Sequence, residues 1–170
     1  MIKPRSTKEV SDCLKLATQY KIGVVPWSGG TGLVGGQIAP DKYSVTLSLE
    51  RMNKIKNFSS INQSIEVEAG VILETIHEFV DKRNFLYPLS MASKGTCCIG
   101  GNLATNAGGI GVLKYGNARD LCLGLEVVLA DGSIMNDIKT LKKDNTGYDL
   151  KNLFIGSEGS LGIITRAVLR

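Results

Sequence analysis

The chain has 170 residues, of which 43% are apolar and 21% charged, and its formal net charge is +4 at pH 7. That length fits one domain or two small lobes sharing a site, and the apolar content is enough for a packed core, which excludes disorder as the default. An aromatic content of 6% argues against a base-stacking surface for single-stranded nucleic acid.

Lys and Arg are scattered, and the nearest approach to a run, Lys139 to Lys143, reads as a solvated loop or helix end. The four cysteines, Cys13, Cys97, Cys98 and Cys122, form no C-x-x-C, and there is one histidine, a pattern that argues against a zinc site. Four thiols without a disulfide-like framework suit a reducing compartment. No secretory signal or apolar run of membrane-spanning length is visible. The expected location is cytoplasmic, or the mitochondrial matrix in a eukaryote.

In chain order, Ser6 followed by Glu9 has capping-box spacing, and Val10, Cys13, Leu14, Ala17 and Tyr20 then recur at helical intervals. Val24-Val25-Pro26 reads as a short strand. Val45, Leu47 and Leu49 alternate with polar residues, as does Ile65-Glu66-Val67-Glu68, and Ile55 to Phe58 is a further strand candidate. Val71 to Arg83 returns to helical spacing, with Ile72, Ile76, Phe79 and Val80 on its buried face. Leu123 to Ala130 reads as a strand, and Asp131-Gly132 turns it into Ser133 to Met135. Asn145 to Gly147 is another turn, and Leu161 to Leu169 supplies the last apolar segment. The order predicts an α+β fold of two α/β lobes with mixed sheets.

Twelve of the twenty glycines fall in two regions: Gly29, Gly30, Gly32, Gly35 and Gly36, then Gly95, Gly100, Gly101, Gly108, Gly109, Gly111 and Gly116. Glycine lets the backbone adopt positive φ and lets a ligand approach closely, so successive N–H groups can converge on an anion. From Trp27 to Pro40 no side chain is charged, and from Asn84 to Leu113 only Lys94 is. A diphosphate held there would rest on backbone N–H groups and on Thr31, Thr96, Asn102, Thr105 and Asn106. Ile99, Leu103, Ile110, Val112 and Leu113 between the glycines predict a packed region rather than a flexible linker. Gly30-x-Gly32-x-x-Gly35 matches the Rossmann fingerprint, but that fingerprint must open a helix. Here Gly36, Pro40 and an alternating strand follow, so the Rossmann reading is rejected.

The stretch Pro26-Trp27-Ser28-Gly29-Gly30-Thr31-Gly32-Leu33-Val34-Gly35-Gly36 resembles the pyrophosphate loop of the vanillyl-alcohol oxidase/p-cresol methylhydroxylase (PCMH) type of FAD-binding domain. Ile99 to Gly109 resembles the second FAD loop of that family. Tyr115-Gly116, Gly124 to Gly132, Lys143 to Leu150 and Phe154 to Thr165 are further matches in the same order. Within that family the matches resemble the branch of D-2-hydroxyglutarate dehydrogenase, D-lactate dehydrogenase and the glycolate oxidase FAD subunit.

The resemblance implies a flavoenzyme that oxidises a 2-hydroxy acid to a 2-oxo acid, with hydride passing to flavin N5 and electrons leaving to a separate acceptor. It implies FAD between the two lobes, with contacts at Trp27, Ser28, Gly29, Gly30, Thr31, Gly32 and Gly36. It implies further contacts at Pro88, Gly95, Thr96, Ile99, Gly100, Gly101, Asn102, Thr105, Asn106, Gly108, Gly109, Tyr115, Gly116, Glu158, Gly159, Gly162 and Ile164. Ser28 stands where the family usually has glycine. In some relatives a loop histidine bonds to the flavin; neither loop has one, so the FAD is expected to be non-covalent. The family's substrate and metal residues lie in a C-terminal domain that these 170 residues lack, and an initial strand and helix also have no counterpart. The chain is therefore expected to be an FAD-binding domain, inactive alone, with no catalytic residue assigned, no metal, no nucleic-acid partner and no membrane span. A non-catalytic FAD- or nucleotide-binding module is the alternative.

His77, outside every motif, reads as a solvated histidine. Cys97 and Cys98 read as small packing residues, and Tyr148 and Asp149 as parts of a turn. For Lys94, ligand phosphate and solvent are equal alternatives. Glu158 either holds backbone donors near the flavin or caps a turn.

Overall fold

Ser6 starts the first helix as its sequence requires: in extended conformation, its Oγ accepts from the Glu9 N–H at 3.2 Å, while Glu9 reaches back to the Arg5 N–H at 2.8 Å. A computed structural model describes residues 1–170. The helix, α1, spans Thr7–Gln19 and buries Val10, Ser11, Leu14 and Ala17, whereas Tyr20 caps its end and is exposed.

Strand β1 (Gly23–Trp27) pairs in parallel with β2 (Ser44–Ser48), Val25 facing Thr46. A parallel pair needs a crossover, and a helix usually supplies it. Here the first glycine-rich loop is the crossover, and no helix intervenes. That absence bears out the rejection of the Rossmann reading.

The second sheet contains β3 (Ile55–Ser59), β4 (Ser64–Glu68), β5 (Cys122–Val128), β6 (Ile134–Asp137) and β7 (Ile163–Leu169), in the order β3-β4-β7-β5-β6. It is antiparallel throughout, so parallel and antiparallel pairing mix between the sheets and not within either one. The β5–β6 turn is the expected one: Gly132 takes φ 82°, and Asp131 accepts from the Ser133 N–H.

Helix α2 (Leu73–Asp81) buries Leu73, Ile76 and Val80, while Ile72 falls just outside it and is exposed. Three short helices, α3 (Ile99–Ala104), α4 (Val112–Tyr115) and α5 (Lys151–Phe154), sit in segments that carry no helical periodicity. One cluster of 29 buried apolar residues includes Leu47 of the small sheet together with Val67, Leu125 and Ala167 of the large one, so the two sheets share a core.

Between them, β5 and β7 carry a buried ionic group. Glu126 accepts from Thr7, from Thr165 at 2.8 Å and from Arg166 at both carboxylate oxygens, and Arg166 also reaches Glu66 at 2.8 Å. Burial alone would push the Glu126 carboxyl up; the hydrogen bonds from Arg166, Thr7 and Thr165 outweigh it and hold the carboxyl below its ordinary value.

Two sequence expectations are corrected. Ile99 and Leu103 are fully buried, but Ile110, in the loop before α4, is 87% exposed, and Leu113 is fully exposed because α4 is a single turn that buries none of its residues. His77 is half-buried rather than solvated, since its Nε2 lies 2.8 Å from the Leu89 carbonyl oxygen.

Candidate functional site: a neutral cleft between the sheets

The two glycine-rich regions meet because glycine removes the side chains that would hold them apart. A Cβ on Gly29 would overlap the Thr96 carbonyl oxygen and fall 2.7 Å from Cys97 Cα. On the other side, a Cβ on Gly101 would fall 2.9 Å from Ser28 Cβ. Ser28 Oγ accepts from the Gly101 N–H at 3.1 Å, joining the first loop to α3. Gly159, at φ 80°, fits against Pro26 in the same way and brings the turn before β7 to the end of β1.

These contacts leave a cleft of about 430 Å³ at the junction of the two sheets, a size typical of small-molecule sites. Its walls contain Trp27, Ser28, Gly29, Gly30, Thr31, Gly32, Gly36, Gly100, Gly101, Asn102, Thr105, Glu158, Gly159, Gly162 and Ile164 from the sequence-derived set. Pro88 and Tyr115 line a separate apolar pocket of about 250 Å³. Gly95, Thr96, Ile99, Asn106, Gly108, Gly109 and Gly116 do not line the cleft; the Thr96 carbonyl oxygen is instead the surface on which Gly29 rests. Sequence reasoning did not place Leu33, Val34, Gln37, Leu49, Met91, Ser93, Ala104, Ala107 and Ile163 in the cleft, whereas Cys97 and Cys98, read mainly as packing residues, do line it. Leu33 and Val34 lie inside the first glycine-rich loop and were within reach of the sequence; Leu49, Met91 and Ile163 carry no local signal.

The donor groups divide sharply. At the start of α3 every N–H is committed: Ile99 to the Val71 carbonyl, Gly100 to the Ala69 carbonyl and Gly101 to Ser28. Thr96 Oγ1 donates to the Ser93 carbonyl and Thr105 Oγ1 to the Gly101 carbonyl. The first loop is the opposite case. No N–H from Ser28 to Gln37, ten consecutive residues, donates to any protein acceptor. The loop accepts, however: Gln37 donates to the Gly32 carbonyl at 3.0 Å.

Two further groups point to a ligand. Asn102 is 95% buried (5% exposed) in the cleft wall, yet its Oδ1 has no partner and its Nδ2 reaches only Met91 Sδ, at 3.6 Å. Buried carboxamides are normally satisfied. Gly36 has no protein atom closer than 3.8 Å to the place of a Cβ, and its φ is not in the left-handed region, so nothing in the protein requires glycine there. Open backbone donors, an unpartnered buried carboxamide and a glycine cradle fit a diphosphate-bearing dinucleotide.

Charge in the cleft is limited to Glu158, which the chain contributes from a distant turn. Lys94 does not approach the cleft: it pairs with Glu74 at 3.1 Å. The Cys98 thiol lines the wall; burial pushes it up, only partly opposed by its hydrogen bond with Ser28, which keeps it protonated. Asp149 pairs with Lys151 and accepts from the Asn152 side-chain amide at 2.7 Å, which fits its reading as a turn residue, and Tyr148 is 93% exposed.

The profile of the FAD binding domain family matches residues 1–137. This chain belongs to that family. FAD is accordingly its cofactor, and the donor set described above is compatible with it. The chain is 48% identical over 169 residues to a probable mitochondrial D-2-hydroxyglutarate dehydrogenase of Oryza sativa subsp. indica, covering 99% of this chain and 30% of that protein. It is 48% identical to the mitochondrial D-2-hydroxyglutarate dehydrogenase of Bos taurus, covering 97% and 30%, respectively. It is 43% identical to a D-2-hydroxyglutarate–pyruvate transhydrogenase of Saccharomyces cerevisiae, covering 95% and 32%. Among solved structures, alkyldihydroxyacetonephosphate synthase superposes with a TM-score of 0.86 at 26% identity, over 98% of this chain and 32% of that one. The chain thus spans about a third of the length of the relatives it matches. No helix is long and apolar enough to cross a membrane.

Proposed function

We propose that the free N–H groups between Ser28 and Gln37 hold the FAD pyrophosphate, and that the domain serves a dehydrogenase acting on a D-2-hydroxy acid. The observation that carries the first part is the contrast between loops: the start of α3 has no backbone N–H left to offer, and the first loop has offered none to the protein. Thr31 adds an uncommitted hydroxyl donor, while the unpartnered Asn102 Oδ1, an acceptor, is left for a donor group of the dinucleotide other than its phosphates. Of the residues that line the cleft, those in the sequence-derived set are the ones we assign to the cofactor. The names and identities of the rice, bovine and yeast relatives support the second part.

Once bound, FAD supplies a two-electron acceptor, at N5, for oxidation of the alcohol carbon to a 2-oxo acid. The chain's own residues hold the dinucleotide and exclude water from its apolar parts; none of them is assigned to proton transfer. The groups that choose the substrate belong, in this reading, to sequence outside these 170 residues, as does delivery of electrons to an acceptor. Attachment is non-covalent: His77 is engaged by Leu89 away from the cleft, and the Cys98 thiol is held protonated. The relatives' names include a mitochondrial location, and we propose the same for this protein.

Amide hydrogen exchange tests the loop directly. FAD should slow exchange across residues 28–37 by about tenfold or more, because ten open donors gain partners. Quenching of Trp27 fluorescence should report the same binding. FAD that binds without protecting this segment would remove the pyrophosphate assignment. Dye reduction with D-2-hydroxyglutarate, D-lactate and glycolate should show no turnover by these residues alone.

A further inference from the structure

Glu158 sits where glutamate is a poor conformational choice. Its φ is 54°, in the left-handed region, and the same turn holds Gly156 at φ 85° and Gly159 at φ 80°. A third glycine would adopt this backbone without the steric penalty that a Cβ brings. The conformation is fixed by the Glu158 N–H, which donates to the Ala104 carbonyl at 2.9 Å, so the backbone alone accounts for the turn. The side chain returns nothing to the fold: its carboxylate makes no hydrogen bond and no ion pair with any protein group. It contributes the cleft's only charge, and Oε2 lies 3.8 Å from the place of a Cβ on Gly36. The unpartnered Asn102 carboxamide, nine-tenths buried, lines the same cleft.

A carboxylate only accepts hydrogen bonds. Beside a loop of open N–H donors it cannot face a phosphate, which is also anionic. In a dinucleotide the groups covalently flanking the pyrophosphate are sugar-type chains on both sides: ribose on one, ribityl on the other in FAD. Both present hydroxyl donors. We propose that Glu158 is the hydroxyl acceptor of the cleft, binding a ribose or ribityl hydroxyl next to the pyrophosphate and thereby fixing which way along the cleft the dinucleotide lies. The inference rests on the FAD reading above and adds a specificity-determining residue to it.

The test is equilibrium binding of FAD to the chain, followed by Trp27 and flavin fluorescence. It compares wild type with Glu158→Gln, Glu158→Ala and Glu158→Gly. Each ligand series includes FAD, its 2′-deoxyadenosine analogue and an analogue lacking a ribityl hydroxyl. Hydrogen bonds to a charged acceptor predict that Glu158→Ala weakens FAD by about tenfold to a hundredfold. One of the two deoxy analogues should bind wild type with a similar loss and lose nothing more on Glu158→Ala; which analogue does so identifies the sugar. Glu158→Gly should raise the thermal midpoint of the apo chain while still weakening FAD, a combination that a purely structural glutamate would not give. The proposal is overturned if wild type binds FAD and the Ala and Gly variants bind it equally well. It is also overturned if the loss on Glu158→Ala is the same for FAD and both deoxy analogues. Failure of wild type to bind FAD at all would overturn the FAD reading together with this inference.

Discussion

Gly29 rests directly on the carbonyl oxygen of Thr96, with no room between them for a methyl group. This contact joins two segments separated by more than sixty residues of sequence, and Gly29 itself lines the cleft. Gly29→Ala would drive a Cβ into the Thr96 carbonyl and to 2.7 Å from Cys97 Cα, both backbone atoms that cannot rotate away. Overpacking of this kind costs about 1–3 kcal/mol. The expected outcome is a lowered denaturation midpoint in urea, together with weaker FAD binding because the loops are forced apart.

Gly36→Ala separates packing from ligand binding. Its Cβ would meet nothing nearer than Glu158 Oε2 at 3.8 Å. Stability should change by no more than about 0.5 kcal/mol, as for ordinary surface substitutions. FAD affinity should nevertheless fall, by about tenfold, if the cofactor backbone approaches this residue as closely as the open space allows. Urea denaturation and fluorescence titration on the same variant check both halves. Loss of stability without loss of affinity would show that Gly36 serves the fold.

The contrast between those glycines also marks how far the sequence could be read. The charge-free spacing around Gly29 and Gly36 announced an anion site, and the missing helix after Gly35 identified the wrong fold to avoid. Strand alternation at Leu47 and Val67 was clear, and Val127 lay in an apolar run of strand length that is buried on both faces. Helix α3 was not legible. Ile99-Gly100-Gly101-Asn102 lacks helical propensity, and what holds it is tertiary: Val71, Ala69 and Ser28 take its first three N–H groups. For the same reason the sequence could list Thr96 and Thr105 as phosphate donors but could not show that Ser93 and Gly101 had already engaged them. Ile110 and Leu113 failed differently, since an apolar residue among glycines signals packing only if an element is present to pack against.

Binding should be nearly independent of salt. Phosphate sites built on Lys or Arg weaken steeply as ionic strength rises, because the attraction is between full charges. No Lys or Arg lines this cleft. Between 50 mM and 500 mM salt the FAD dissociation constant should change by less than about threefold, with any drift toward tighter binding at high salt as the Glu158 charge is screened. A loss of affinity of tenfold or more over that range would mean that a cation outside the described wall reaches the phosphates.

The Glu126–Arg166 pair predicts how the domain responds to acid. Their Cα atoms face each other across β5 and β7, and Arg166 donates to both Glu126 carboxylate oxygens. Because the folded carboxyl titrates below its ordinary 4.5, the unfolded chain binds the proton more readily than the folded one. The stability this group contributes is therefore complete above about pH 4.5 and is lost as pH falls through the lower folded value. Arg166→Leu reverses the balance. Burial, which pushes the carboxyl up, then acts against only the Thr7 and Thr165 hydroxyls, and a buried charge is left without its countercharge. The cost should be about 3 kcal/mol near neutral pH. Acid unfolding should begin at higher pH than in wild type, because the carboxyl now prefers its neutral form in the fold. Adding Glu126→Gln to Arg166→Leu should recover part of that loss by removing the stranded charge while keeping acceptors for Thr7 and Thr165. Circular dichroism during acid titration of the three proteins checks the order. If Arg166→Leu unfolds at the same pH as wild type, the pair does not control acid stability.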